Sequence, residues 1–294
     1  MKIGYIGLGL MGKPMAANIL KAGFEVVVFN RSQTAITELS ELGAKPAANL
    51  ISLIQQVDVI ITNLPDSPDV EAIALGRDGI LENGKPGLIF IDHSTIKPSV
   101  SQKIYHALQA RSISSLDAPV SGGQIGAQQG TLTIMVGGEL DTLQTVLPIL
   151  QAEGKKITHV GETGAGQVAK AANQIMVAAQ MAGMAELLLF SKKAGVDPAR
   201  VVEAIQSGAA QCWTLDQKPA RLFDGNRQPG FKARMQLKDL NIVMETAREF
   251  GMPLPITAQT TQLYQAMAQM GMQELDNSAI VGVYEVLSGI SLMD

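Results

Sequence analysis

Three glycines near the amino terminus have the spacing Gly7-x-Gly9-x-x-Gly12, after an apolar run at residues 3–6 and before a helical pattern. In this context glycines permit a tight turn and let the backbone approach a pyrophosphate closely. A helix that begins there offers unpaired N–H groups and the positive end of its dipole to the phosphates. The pattern indicates a dinucleotide site, and a turn without a ligand is the alternative. The predicted site residues are Gly7, Gly9, Leu10, Met11 and Gly12.

The second apolar run, residues 25–30, ends in Asn30, Arg31 and Ser32. NAD-specific domains usually have an acid here that binds the ribose 2′-hydroxyl. Arg31 can instead pair with a 2′-phosphate and stack on adenine. We therefore expect NADP as the cofactor, with NAD possible. An arginine solvated in a turn is the alternative interpretation, since Asn30 can still donate a hydrogen bond to a ribose hydroxyl.

Three further polar or glycine-containing segments follow predicted strands. They are Leu64-Pro65, Ser94-Thr95 and Ser121-Gly122-Gly123. Bare backbone N–H groups and a hydroxyl in the last segment suit a small anion such as a carboxylate. Each segment alone is most often just a turn. If the strands are parallel, however, all three segments share one sheet edge with the glycine turn.

Lys170 and Asn173 stand three residues apart in a helical pattern and therefore share a face of the helix. A lysine on a helix is usually solvated, but the residues around Lys170 are mostly apolar or small. A desolvated lysine can shift its pKa and exchange protons. Lys238 and Asp239 form a later charged pair, which taken alone is most simply a surface pair.

Metal binding and thiol chemistry find little support in the sequence. The histidines His93, His106 and His159 are scattered and lack the spacing of a metal site, so no metal is expected. Cys212 is the only cysteine, which excludes an intrachain disulfide and fits a reducing compartment. Next to Trp213, it is more simply a packing residue than a nucleophile.

Short apolar runs alternate with helical patterns in the first half of the chain. Strands are predicted at residues 3–6, 25–30, 57–64, 88–92, 115–118 and 132–136, and helices at 13–22, 34–42, 100–110 and 141–150. This alternation predicts a largely parallel sheet with helices on both faces. Such a sheet binds its ligands at the carboxyl ends of its strands.

The second half is rich in alanine, methionine and leucine, which favour helix. A run of about 30 helical residues after Gly166 would span roughly 45 Å, and its apolar surface needs cover from later helices or a second subunit. Later helices are predicted at residues 198–207, 237–250, 256–270 and 278–287. The predicted architecture is an α/β Rossmann-type domain at residues 1–162, joined by a long helix to an all-α domain at residues 163–294.

Composition limits the classes of function. The chain of 294 residues is 46% hydrophobic and 17% charged, as globular proteins are, and its net charge is −4. That charge argues against nucleic acid or an anionic membrane surface as a partner. No apolar signal segment precedes the first strand, and the most apolar stretch is short for a membrane span. We therefore expect a cytoplasmic protein without membrane or nucleic-acid partners.

Four motifs, in order and over essentially the whole chain, resemble those of the β-hydroxyacid dehydrogenase family. They are Ile6-Gly7-Leu8-Gly9-Leu10-Met11-Gly12-Lys13-Pro14-Met15-Ala16, the segment from Asp117 to Gly123, Gly166-Gln167-Val168-Ala169-Lys170-Ala171-Ala172-Asn173-Gln174, and Lys238-Asp239-Leu240. The resemblance is far more specific than one glycine turn. It departs at His93, where the family often has an apolar residue, and at Asn277, where a histidine is common.

The resemblance implies roles for individual residues. Lys170 would be the catalytic proton donor, and a reduced nicotinamide would transfer hydride to the aldehyde carbon of a small semialdehyde acid. Lys238 would lie near both nicotinamide and substrate. The implied substrate-binding residues are Ser121, Gly122, Gly123, Asn173 and Lys238. The implied further cofactor contacts are Leu64, Pro65, Thr95 and Lys238.

The resemblance also implies a substrate class and a homodimer or homotetramer. The run from Ser121 to Gln124 and the segment at residues 275–279 look closest to family members that reduce tartronate semialdehyde (2-hydroxy-3-oxopropionate) to glycerate, EC 1.1.1.60. The alternatives are 3-hydroxyisobutyrate dehydrogenation and succinate semialdehyde or glyoxylate reduction. Imine reduction is disfavoured because enzymes of that kind generally replace the lysine. A nucleotide-sensing module without activity is the alternative outside enzymes.

Overall fold

The computed structural model describes residues 1–293, and its contacts divide the chain into two units, the first Met1–Lys170 and the second beginning at Ala171. The division falls within one continuous helix, Ala165–Lys193. The boundary after residue 162 lies just before that helix and stays a prediction.

The first unit is built on one sheet. Its strands are β1 (Lys2–Ile6), β2 (Glu25–Phe29), β3 (Lys45–Pro46), β4 (Val59–Thr62), β5 (Ile89–Asp92), β6 (Ser114–Asp117), β7 (Val120–Ser121), β8 (Leu132–Gly137) and β9 (Gly154–Gly161). The strand order is β3-β2-β1-β4-β5-β6-β8-β7, and β9 pairs with β8. The strands from β3 to β6 are parallel, whereas β8 is antiparallel to β6 and β7. The chain passes from β1 outward to β3 and then returns to β4, so the order reverses between β1 and β4.

Helices cover both faces of this sheet. Successive side chains of a strand point to opposite faces, and both faces carry apolar residues that the helices bury. The helices are α1 (Gly12–Lys21), α2 (Gln33–Glu41), α3 (Leu50–Gln56), α4 (Ser67–Leu75), α5 (Ile80–Asn83), α6 (Pro98–Gln109), α7 (Gly123–Gln129) and α8 (Leu140–Glu153). Tyr5 of β1 packs in one core cluster with residues of α1, α2 and α8. The next residue, Ile6, packs in another with residues of α3, α4 and α6. The predicted doubly covered parallel sheet is confirmed.

Three strands escape sequence prediction, namely the two-residue strand β3 at one edge of the sheet and β7 and β9 at the other side. Strand β9 has mostly exposed or half-exposed residues and includes Lys155, Lys156 and His159, so it lacks an apolar alternation. Strand β7 is only two residues long. Both are held by pairing with β8, and this tertiary pairing outweighs their weak local preference for strand.

Helices are the only extended secondary-structure elements among the described residues of the second unit, which also has an isolated β-bridge between Lys232 and Asp276. Helix α9 (Ala165–Lys193) continues into it, followed by α10 (Pro198–Ile205), α11 (Trp213–Gln217), α12 (Pro219–Phe223), α13 (Ala233–Glu249), α14 (Pro255–Gln269), the 3₁₀ turn η1 (Asn277–Ile280) and α15 (Val281–Ser288). The short helices α11 and α12 were not predicted, and α13 begins four residues before the predicted start. Residues of α9 such as Met184 and Leu188 pack against Leu240, Tyr264 and Ile280.

Helix α9 alone among the helices of residues 1–293 has the length and apolar composition to cross a membrane. Half of its most apolar 18-residue window is buried inside the protein. The buried residues of α9 pack in the same apolar cluster as residues of α13 and α14, and a single helix of this length and composition is weak evidence for a membrane span.

Candidate active site

The carboxyl ends of five parallel strands are aligned in one row. Ile6 is paired in register with Phe29 and Thr62, Thr62 with Asp92, and Asp92 with Asp117. The loops that follow these residues therefore leave the same sheet edge. They carry the predicted site residues Gly7, Gly9, Leu10, Met11, Gly12, Asn30, Arg31, Ser32, Leu64, Pro65, Thr95, Ser121, Gly122 and Gly123. In open α/β sheets, ligands bind outside this edge where the strand order reverses, here between β1 and β4.

The three glycines of the first turn serve different purposes. Gly7 has a φ of +96°, and a β-carbon there would overlap the Asn63 carbonyl oxygen. A β-carbon on Gly12 would overlap the Gly7 carbonyl oxygen. Gly9 is exposed and has open space around it. Gly7 and Gly12 are therefore needed to close the turn, whereas Gly9 keeps its outer side accessible.

This turn fits the phosphates of a dinucleotide. Helix α1 begins at Gly12 without a side-chain cap and without an acidic residue in its first turn. Its first N–H groups and the positive end of its dipole therefore suit an anion. Leu10 beside Gly9 is also exposed, while Met11 is partly buried against the core.

Asn30 holds the end of β2 against the glycine turn. Its Oδ1 accepts a hydrogen bond from the Leu8 N–H at 3.1 Å, and its Nδ2 donates to the Ser32 carbonyl at 3.2 Å. The side chains of Arg31 and Ser32 are exposed. The structure thus gives Asn30 a shaping role that the sequence did not reveal, and it leaves Arg31 accessible at the same edge.

The loops after β4 and β5 are tied together by Ser94. Its Oγ accepts from the Leu64 N–H at 2.8 Å, and its own N–H donates to Asp92 Oδ1 at 3.0 Å. Thr62 Oγ1 donates to the same carboxylate oxygen at 2.7 Å. Burial raises the pKa of Asp92, while these hydroxyl and N–H donors oppose the rise. The predicted cofactor contacts Leu64, Pro65 and Thr95 lie on these joined loops.

Lys170 contacts the loop that carries the predicted anion pocket. The residue is 8% exposed, and its Nζ donates to the Val120 carbonyl oxygen at 2.9 Å. Ser121 follows directly, and the positive φ values of Gly122 (+135°) and Gly123 (+63°) turn the backbone into α7. The structure therefore brings the predicted proton donor beside the predicted substrate loop, 50 residues away in sequence.

Two residues to which the sequence analysis gave no role hold the start of α9 in place. Asp117 Oδ1 accepts from the Gly164 N–H at 2.7 Å, and its Oδ2 accepts from the Gln167 N–H at 2.9 Å. The Gln167 side chain donates to the Ser94 carbonyl at 2.8 Å and accepts from the Ile96 N–H at 3.1 Å. The sequence offered two signals for these roles. One was an acid at the end of a predicted strand, and the other was a glutamine in an otherwise apolar helical stretch.

The Asp117 carboxyl has an unusual proton affinity. Burial raises its pKa to about 6, although the hydrogen bonds from the Gly164 and Gln167 N–H groups oppose this rise. Its ionised form accepts bonds from the first turn of α9 and faces the positive end of the helix dipole. Asp117 is therefore a link between the end of β6 and the helix that carries Lys170.

The remaining predicted residues, Asn173 and Lys238, belong to the second unit. Asn173 Nδ2 donates to Gln174 Oε1 at 2.8 Å, and Gln174 Nε2 donates to Asp239 Oδ2 at 2.5 Å. Lys238 Nζ lies 2.8 Å from Asp239 Oδ1. Lys238 and Asp239 are therefore no isolated surface pair, because Asp239 is 2% exposed and bound to helix α9 through Gln174.

The sheet order, the glycine turn at the reversal point and the buried lysine define an NAD(P)-binding oxidoreductase. The comparisons agree. Residues 2–161 match the NAD binding domain of 6-phosphogluconate dehydrogenase. Residues 164–284 match the family described as NAD-binding of NADP-dependent 3-hydroxyisobutyrate dehydrogenase.

Relatives that match over almost the whole chain indicate the family within this class. The chain is 38% identical to 2-hydroxy-3-oxopropionate reductase of Escherichia coli, over 99% of this chain and 100% of the relative. It is 36% identical to 2-(hydroxymethyl)glutarate dehydrogenase of Eubacterium barkeri, over 99% and 97%. A structure of 3-hydroxyisobutyrate dehydrogenase from Mycobacterium tuberculosis with L-serine has a TM-score of 0.88 at 31% identity, covering 96% and 98%.

The chain belongs to the β-hydroxyacid dehydrogenase family. It is an oxidoreductase that acts on CH–OH groups of a small molecule and uses NAD(P). The predicted family and fold are confirmed.

Proposed function

We propose that this enzyme reduces tartronate semialdehyde (2-hydroxy-3-oxopropionate) to glycerate, with Lys170 as the proton donor. The observation that carries the proposal is the buried Lys170 ammonium, 2.9 Å from the Val120 carbonyl and next to the Ser121-Gly122-Gly123 turn. The Escherichia coli relative of that name, 38% identical, supports the choice among semialdehyde acids.

Lys170 acts as a general acid in this proposal. Its Nζ has three donor positions, and the Val120 carbonyl occupies one, which helps to aim the ammonium. A substrate carbonyl oxygen accepts a hydrogen bond from the ammonium, which stabilises the developing alkoxide and then gives it a proton. In the reverse direction the neutral amine removes the hydroxyl proton.

The loop beyond Val120 anchors the other end of the substrate. Backbone N–H groups of Gly122 and Gly123 and the Ser121 hydroxyl bind the carboxylate. Asn173, one helical turn beyond Lys170, and Lys238 complete the substrate contacts. Holding the carboxylate and the carbonyl at once orients the reacting carbon, and orientation is the protein's main contribution when a cofactor carries the chemistry.

The edge loops of the sheet hold the cofactor, whose reduced nicotinamide supplies the hydride when bound. The turn from Gly7 to Gly12 takes the pyrophosphate at the start of α1. Asn30, Arg31 and Ser32 take the adenosine ribose, and the loops with Leu64, Pro65 and Thr95 extend the site along the sheet edge. Lys238 is a further proposed cofactor contact.

Initial rates test the substrate assignment. Tartronate, methylmalonate and succinate semialdehydes and glyoxylate are each assayed with NADPH and NADH. We expect the highest kcat/KM with tartronate semialdehyde, in agreement with the name of the 38% identical Escherichia coli relative. The spacing of carboxylate and aldehyde distinguishes it from succinate semialdehyde and glyoxylate, and the carbon-2 hydroxyl distinguishes it from methylmalonate semialdehyde. Comparable kcat/KM values for all four substrates would contradict the narrow assignment and leave only the reaction class.

Substitution of Arg31 tests the expected NADP preference. In Arg31→Ala, the KM for NADPH should rise roughly tenfold or more, because hydrogen bonds to a charged group contribute about 1.5–3 kcal/mol. The KM for NADH should stay unchanged. Arg111→Ala is the matched control, since Arg111 is exposed and precedes β6 at the opposite sheet edge. An unchanged KM for NADPH, or a strong NADH preference of the unaltered enzyme, would rule out this role.

Dehydrogenation of 3-hydroxyisobutyrate is the second candidate. The 31% identical Mycobacterium tuberculosis structure with that name favours it. Succinate semialdehyde and glyoxylate reduction are further alternatives on the same scaffold, and the rate comparison covers the corresponding aldehydes.

Assembly and location are part of the proposal. Large apolar side chains are exposed in the second unit, for example Phe190 (76%) and Leu287 (71%). Exposed apolar surface of this kind suits a subunit interface, which supports a homodimer or homotetramer. The single cysteine, Cys212, fits a reducing cytoplasm.

A further inference from the structure

A buried histidine and a buried glutamate form a pair beneath the substrate loop, in the first unit. His93 follows β5, and Glu153 is the last residue of α8. Their side chains are both 0% exposed, with His93 Nε2 3.1 Å from Glu153 Oε2. The other ring nitrogen, Nδ1, lies 2.6 Å from the Ala118 carbonyl oxygen. His93 is also one of the two positions at which the chain departs from the family pattern.

The contacts of the ring determine where its protons lie. A carbonyl oxygen can only accept, so Nδ1 must carry a hydrogen and donate it to Ala118. Nε2 and a carboxylate oxygen would repel each other without a proton between them, so the pair shares one. Burial lowers the pKa of His93, but Glu153 and the Ala118 carbonyl together raise it above its ordinary value. The pair is therefore neutral overall and the ring is fixed at both nitrogens.

The groups around this pair are also buried. Asp92 precedes His93 on β5, and its negative charge also acts to raise the pKa of His93. Burial, and next the Glu153 charge, raise the pKa of Tyr5 on β1 well above its ordinary value. All four side chains lie in the interior of the first unit, where an unmatched charge would be costly.

Ala118 connects the pair to the site. Its N–H donates to the Asp92 carbonyl at 2.8 Å, so both polar groups of Ala118 are bound by the end of β5 and the residue after it. Two residues later, the Val120 carbonyl accepts from Lys170, and Ser121 follows. A shift at Ala118 would therefore move both the partner of Lys170 and the proposed carboxylate site.

We propose that His93 is a positioning residue for the reaction: held by Glu153, it fixes the Ala118 carbonyl and so sets the geometry of Val120, Lys170 and the substrate loop. The inference rests on the proposed function for its catalytic consequence. Its structural part, the effect on Lys170, can be measured without any substrate.

Two double variants isolate the hydrogen bond to Ala118. His93→Leu with Glu153→Leu removes both members of the pair together, so that neither is left without its partner, a type of change that is often neutral or stabilising. His93→Asn with Glu153→Leu differs only at position 93, where the asparagine Nδ2 replaces ring Nδ1 as the donor to Ala118. The two proteins share the loss of Glu153, so their difference reports the bond itself.

Kinetics give the first readout. The Leu/Leu variant should lose kcat by roughly 10- to 100-fold, the order expected when a reacting group is displaced by about 1 Å. Its KM for the semialdehyde acid should also rise, because the proposed carboxylate site at Ser121, Gly122 and Gly123 follows Ala118 along the chain. The Asn/Leu variant should recover most of the kcat. Equal kcat in both variants, or wild-type kcat in Leu/Leu, would overturn the proposal.

Chemical labelling of Lys170 gives the second readout and does not depend on the substrate. Acetic anhydride should modify Lys170 faster in Leu/Leu than in the wild type and Asn/Leu, as measured by mass spectrometry, with the exposed Lys193 as internal reference. If the wild type reduces none of the semialdehyde acids while this labelling difference is found, the proposed function fails and the positioning role of His93 stands. Identical Lys170 labelling in all three proteins would overturn that role.

Discussion

Replacing Lys170 by alanine is expected to lower kcat by roughly two to four orders of magnitude, the usual contribution of a positioned general acid. The variant lacks both the proton donor and the positive charge that stabilises the developing alkoxide. NADPH binding should remain almost intact, because Lys170 contacts the loop after β6 whereas the proposed pyrophosphate site follows β1. Steady-state rates and a direct titration of NADPH by fluorescence measure the two effects separately.

A second lysine on the same helix provides the control. Lys193 is exposed at the end of α9, so Lys193→Ala should keep both kcat and NADPH affinity. Thermal unfolding of the Lys170→Ala protein shows whether loss of the bond to Val120 has disturbed the fold. Near-normal turnover in a folded Lys170→Ala protein would remove Lys170 from the mechanism.

Gly12→Ala is expected to damage both the fold and the cofactor site. The added methyl group would overlap the Gly7 carbonyl oxygen, a backbone atom that cannot rotate away. Forcing an atom into a well-packed position costs about 1–3 kcal/mol of the free energy of unfolding. Because the displaced atom belongs to the glycine turn, NADPH affinity should fall in the same variant. Urea unfolding and the NADPH titration measure these two losses.

Substitutions at two other glycines distinguish an effect on packing from an effect on NADPH binding. A β-carbon on Gly9 would have no atom within 4 Å, so Gly9→Ala should preserve stability and weaken only NADPH binding. Gly183 is exposed inside α9 and equally uncrowded, so Gly183→Ala should raise the free energy of unfolding by roughly 0.5–1 kcal/mol. If Gly12→Ala were as stable as Gly9→Ala, the packing argument for the turn would be wrong.

Six of the nine strands in residues 1–293 and the long helices were predictable because each carries a local periodic signal. Strand β1 is a short apolar run before a glycine turn, and α9 is a long run of good helix formers. Strand β9 was missed because its exposed lysines and histidine leave no alternation to detect. Its conformation depends on pairing with β8.

In the candidate site, too, some residues could be predicted from the sequence and others could not. Lys170 and the Ser121-Gly122-Gly123 turn could be singled out from residue types, and their resemblance to a known family assigned the roles that remain to be tested. The residues that hold them were not singled out. Asp117 and Gln167 bind the start of α9 and the loop after β5 through partners 47 to 73 residues away.

The sequence by itself determined the alternation of strands and helices, the glycine turn and the reaction class, since these depend on neighbouring residues and on motifs read along the chain. Only the tertiary structure decided which polar groups meet. It joined His93 to Glu153 and Ala118, and Gln174 to Asp239. A buried hydrogen bond between distant segments forms only when the whole fold removes both partners from water together. The residues next to each partner in the sequence do not indicate which distant residue it will meet.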